Sequence, residues 1–144
     1  MRIMAQFDEP EFLAAQKFIV TELDEYLKDP SYLSQCMNPA DQPWRPALVR
    51  LERLGVYIRF GYLDGEPFRY NLVRPILNMW AHLHPLVEQT RKILDNPYLW
   101  KDTEWLAQDA LRFAKHWMAE RPLPRPSTGE IMRPEDVILQ PKSN

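Results

Sequence analysis

Trp105, Asp109, Arg112 and His116 follow one another at spacings of four, three and four residues, which stacks them on one face of a helix. A carboxylate, a guanidinium and an imidazole beside an indole wall are the ingredients of a small anion or acid–base site. The same spacing also describes a plain solvated face whose i, i+3 ion pair contributes roughly 0.3 kcal/mol. Tryptophan on a polar face marks a contact surface. Asp109, Arg112 and His116 therefore stand as a possible ligand face, with Trp105 as one wall.

Other reactive side chains are sparse. His82 and His84 are two residues apart, which on a helix sets them about 160° apart around the axis. They cannot chelate one ion as an i, i+4 pair does, and His116 and Cys36 would have to be brought in by the fold. No metal and no cofactor is expected. Cys36 lies in a short apolar turn with no cue for an activating partner, and reads as a buried structural thiol. No G-x-S-x-G, Walker A or H-E-x-x-H pattern is present, so no catalytic residue is assigned and the balance leans away from an enzyme.

Residues 41–75 carry six arginines and no lysine. Arg45, Arg50, Arg53, Arg59, Arg69 and Arg74 interleave with Trp44, Tyr57, Phe60, Tyr62, Phe68 and Tyr70. Such a mixture can hold phosphates and stack bases, and it is also what protein interfaces are enriched in. The whole chain has a formal net charge of -2 and a pI near 5.9. That disfavours nucleic acid, which draws a basic surplus. Pairing of these arginines with the acidic N-terminal segment is the plainest reading.

The elements that must position these groups are helical. Asp8 and Glu11 have capping-box spacing ahead of a helix over about 9–28, with Phe12, Ala15, Ile19, Leu23, Tyr26 and Leu27 as its apolar stripe. Asp29-Pro30 ends it. A short turn follows from Ser31 to Met37, and the proline-rich connector 38–46 comes next, pinned by Trp44. A helix from Pro46 to about Gly61 has one apolar face at Leu48, Leu51, Leu54 and Ile58. It carries a second, nearly opposite, at Val49, Val56 and Phe60. A helix apolar on two sides is central in its bundle or shared with a partner.

A short helix is expected over 67–74. A long one follows over 76–94, where Ile76, Met79, Trp80, Leu83, Leu86, Val87, Thr90, Ile93 and Leu94 share a face. Asn78, His82, Glu88, Gln89 and Lys92 lie opposite, with Pro85 at the centre of that polar side, where water can satisfy the carbonyl it frees. The last helix covers about 101–120 with Asp102 or Thr103 near its N-cap. Leu106, Ala110, Phe113 and Trp117 face the core.

The chain has 144 residues, enough for one domain with a real core. With one cysteine it can form no intrachain disulfide. No stretch approaches the roughly 20 apolar residues of a membrane span. These absences lead to a cytoplasmic expectation. Four glycines against 14 prolines leave little material for phosphate loops or tight hairpins.

The segments RLERLGVYIRFGYLDGE, ILNMWAHLHPLVEQTR and NPYLWKDTEWLAQDAL within residues 50–117 resemble a family of small bacterial helical domains of unknown function. The resemblance covers about half the chain and implies a helical fold with no known activity.

The expected architecture is an all-α bundle of four to five helices over residues 1–120, one of them bent at a proline. A proline-rich tail, extended or disordered, occupies 121–144. The expected function is a non-catalytic protein–protein interaction module, an adaptor or a homo-oligomer. Its surface is Val49, Arg53, Val56 and Phe60, with Trp105 as an outlying anchor. Two alternatives stand beside it: a small-ligand binder or enzyme using Asp109, Arg112 and His116, and a nucleic-acid binder using the Arg45–Arg74 segment.

Overall fold

A computed structural model describes residues 6–120, and the expected tail lies outside the described residues. Among the described residues six α-helices follow one another: α1 (Pro10–Thr21), α2 (Leu23–Leu27), α3 (Pro30–Gln35), α4 (Arg45–Arg59), α5 (Glu66–Leu94) and α6 (Lys101–Glu120). A 3-10 turn, Pro39–Asp41, precedes α4. No strand occurs among the described residues, and the fold is all-α.

The first expected helix is divided in two at Glu22, whose φ and ψ are -126° and -29°. The Thr21 hydroxyl donates back to the Lys17 carbonyl at 2.6 Å. Such a back-bond competes with the regular ladder and bends helices. The capping box is also corrected: the N-cap is Glu9, with no side-chain cap bond. The carboxylates of Glu9 and Glu11 turn instead to Arg50 of α4, at 2.7 and 3.3 Å. Asp29 does cap the next helix, accepting from the Ser31 backbone at 2.9 Å and from its hydroxyl at 2.8 Å. These bonds hold its carboxyl below the usual value.

Residues 66–94 form one helix rather than two. Pro75 lies inside it, although a proline disfavours helical geometry in the residue before it. The carbonyl it leaves without a donor belongs to exposed Asn71, where water can reach it. Pro85 is exposed, as expected for a proline on the polar side.

The core gathers Phe12, Phe18 and Ile19 of α1, Leu48, Leu51 and Leu54 of α4, Leu77, Met79, Leu83 and Leu86 of α5, and Leu106 and Ala110 of α6. Trp44 is 2% exposed and anchors the connector, helped by the Tyr32 hydroxyl, which donates to Gln42 Oε1 at 2.7 Å. Two positions assigned to the core stripe of α5 are corrected: Ile93 is 54% exposed and Leu94 51%. They lie in the last turn of α5.

α4 packs most extensively on α6. Gly55 makes this approach possible, since a Cβ there would run into the Asp102 backbone carbonyl. The first turn of α6 takes its cap from α4. Glu52 accepts the Asp102 N–H at 2.6 Å and the Thr103 N–H at 3.2 Å, and the Thr103 hydroxyl lies at 3.3 Å. Burial, opposed by these bonds, leaves the Glu52 carboxyl above its ordinary value. Neither Asp102 nor Thr103 is itself the cap. Both lie in the first turn, and the capping oxygen comes from another helix.

Candidate functional site

On α4, Arg45, Val49, Arg53, Val56 and Phe60 recur at four, four, three and four residues and share one face. The core takes the opposite face through Leu48, Leu51 and Leu54. Val49 and Val56 are half-buried, Arg53 is exposed, and Phe60 is 61% exposed. The Arg59 guanidinium lies 5.4 Å from the Phe60 ring centroid and donates to Asp102 Oδ1 at 3.1 Å. Beyond Phe60 the chain turns through Gly61, at φ 79°, and presents Tyr62, 75% exposed.

The N-terminal end of the same face opens into a cleft of about 350 Å³. Arg45, Val49, Arg50 and Arg53 line it from α4, and Glu9, the N-cap of α1, and Glu11 from the other side. Arg50 is fully engaged: besides Glu9 and Glu11, it donates to the Pro46 carbonyl at 3.1 Å. Arg45 and Arg53 have no ion pair among the described residues, and Arg45 Nε is buried with no hydrogen-bond partner. The first turn of α4 contains no acidic residue, and its N-cap, Trp44, makes no side-chain cap bond.

The α6 face is closed by an unexpected partner. Arg69 of α5 grips Asp109 through Nε at 3.0 Å and Nη2 at 3.2 Å. Hydrogen bonding to Asp109 pushes the Arg69 guanidinium above its ordinary value. Arg112 lies 3.7 Å from Asp109, while His116 is exposed. The expectation of an exposed Trp105 is corrected: it is half-buried and packs against the core. On its inner side Asp109 helps line a cavity of about 10 Å³, the scale of a single water.

The histidines diverge. His82, expected on the polar side of α5, is 2% exposed, because Asp24 of α2 meets its Nδ1 with both carboxylate oxygens at 3.0 Å. His84 is exposed, 3.5 Å from Glu88. Cys36 is buried, which pushes its thiol up. Among the described residues, no group of three or more histidine, cysteine or acidic side chains could hold a metal ion. Of the arginine series, Arg50, Arg59 and Arg69 are spent on Glu9 and Glu11, Asp102 and Asp109.

Sequence reasoning missed the Asp24–His82 bond, the Glu52 cap and the pairing of Arg69 with Asp109. All join residues 40 or more positions apart. The cleft left a trace: an acidic start to α1 and a run of arginines at the start of α4.

Residues 1–110 match the model of a domain of unknown function, DUF4760. The chain belongs to this family. In this DUF4760 member the matched segment takes in α1 to α5 and the first half of α6, including the cleft, the open face of α4 and the Arg69–Asp109 pair. No curated protein and no solved structure matches the chain. Among the described residues, no helix is long and apolar enough to cross a membrane.

Proposed function

We propose that this chain is a non-catalytic interaction module that docks a protein partner or a second copy of itself through the outer face of α4. The supporting observation is that Val49, Arg53, Val56 and Phe60 form a continuous row left open by the bundle, ending in a phenylalanine 61% exposed. An apolar row with an arginine inside it has the composition of a contact surface. Trp105 supports the fold through its core packing, so the docking row rests on α4 alone. A cytoplasmic setting goes with this reading, supported by the single, buried cysteine.

The acid–base alternative has less behind it. Asp109 is held by Arg69 through two hydrogen bonds, which leaves its carboxylate engaged within the bundle. The nucleic-acid alternative loses three of its arginines to intramolecular carboxylates.

Light scattering on the full chain and on Val56→Asp tests the proposal, together with a photo-crosslinking amino acid placed at Phe60 in cells. A multimer that falls to a folded monomer in Val56→Asp supports self-association. A monomer whose Phe60 position crosslinks to one discrete partner, lost in Val56→Asp, supports docking of another protein. A monomer without a discrete adduct overturns the reading.

A further inference from the structure

We infer that the cleft between α1 and α4 is a binding site for a small oxyanion of the phosphate class, held by Arg45 and Arg53. The inference goes beyond the docking role and does not depend on it.

The electrostatics of α4 carry the argument. The N-terminus of a helix bears a partial positive charge, so acidic side chains are favoured in its first turn and cations are disfavoured. Here the reverse holds. Arg45 opens α4, with Arg50 and Arg53 in its second and third turns; the first turn holds no acidic residue, and no side chain caps the helix. Glu9 and Glu11 compensate Arg50. Arg45 and Arg53 remain, with Arg45 Nε buried and unpartnered. Nε itself is closed off from solvent, so the donors that Arg45 and Arg53 offer to the cleft are their terminal guanidinium nitrogens.

The shape is consistent with the charge. The cleft, of about 350 Å³, is open to solvent and has room for a phosphate or a phosphomonoester. Val49 and Pro46 give it an apolar wall, and Arg50, tied down on three sides, gives it a rigid one. Guanidinium groups recognise phosphate oxygens through paired, charge-assisted hydrogen bonds, and a helix N-terminus adds favourable potential for the same anion. The carboxylates of Glu9 and Glu11 repel any anion extended along that side, which favours a compact charge.

The test is a titration of the full chain at constant ionic strength, following arginine Nε–Hε and backbone amide resonances. One arm uses inorganic phosphate and the other phenyl phosphate, which separates a free anion from a monoester terminus. Saturable shifts centred on Arg45 and Arg53 in either arm are expected. Arg45→Gln and Arg53→Gln should each weaken binding at least about tenfold. Glu11→Gln should tighten it, a sign that a merely damaged fold does not produce. Shifts that fail to saturate, that spread over all surface cations, or that are indifferent to these three variants overturn the site. Such a failure leaves the Val56→Asp experiment on the docking row unaffected.

Discussion

His82 and Asp24 form a hydrogen bond that ties α5 to α2: Nδ1 of the buried imidazole lies 3.0 Å from each oxygen of the carboxylate. Asp24 is one-third exposed, so the bond reaches from the core to the surface and joins the buried Leu23 in holding the five-residue α2 to the bundle.

Replacing His82 by Ala should lower stability by about 2 kcal/mol, through the lost bond and the space left behind. His84→Ala, two residues away on an exposed side chain, should stay within about 0.5 kcal/mol of the parent. Urea unfolding midpoints of the two variants decide this. Equal effects would remove the special role given to His82.

Glu52 supplies the cap that α6 lacks, so Glu52→Ala should cost about 1–2 kcal/mol, the scale of a lost N-cap. The pH dependence has a definite sign. Burial holds the Glu52 carboxyl above its ordinary value, so the folded state takes up its proton more readily than the unfolded chain. Its contribution is therefore largest below the ordinary carboxylate range and declines as pH rises through the folded value. Glu52→Gln has no charge to lose. The stability of the parent relative to Glu52→Gln should fall as pH rises through and above the ordinary carboxylate range. A difference that rises with pH would contradict this.

Gly55→Ala would raise intrinsic helix propensity by up to about 1 kcal/mol. A Cβ at this position meets the Asp102 backbone, and forced overpacking costs about 1–3 kcal/mol. The net outcome should be a less stable protein in thermal melts. A gain in midpoint would show that α6 can retreat without loss.

Tyr32 is buried and its hydroxyl is hydrogen-bonded to Gln42. Burial, with smaller contributions from Cys36, pushes its phenol up to about 12. The folded state therefore resists the phenolate. Stability should fall as pH rises from about 10, where an unfolded tyrosine ionises, towards the folded value. Phenolate absorbance should show one late tyrosine whose titration moves to lower pH in urea. Tyr32→Phe should abolish that late step.

The apolar periodicity of the sequence was enough for the all-α class and for most of the stripes on α1, α4, α5 and α6, because burial of one helix face is written in 3.6-residue spacing. Trp44 and Pro85 were legible for similar local reasons. The failures share another cause. Pro75 has the signature of a helix boundary, yet α5 continues through it because the freed carbonyl reaches water. His82 has a polar face by position, yet Asp24 draws it inward. Trp105 sits among polar neighbours on its helix, yet it packs against the core. Half of the candidate site was legible: Val49, Arg53, Val56 and Phe60 do share an open face. The cleft was not, since it exists only where α1 lays Glu9 and Glu11 beside Arg50.

The two prolines inside α5 interrupt its hydrogen-bond ladder ten residues apart. They partition a helix of about 43 Å into three stretches in series, so loosening in one stretch need not propagate into the next. Fraying of the last stretch, which bears exposed Ile93 and Leu94, should stop at Pro85 and leave His82 in place. Amide exchange along α5 should then fall into blocks bounded by the prolines, each with its own opening rate, rather than a single gradient from the ends.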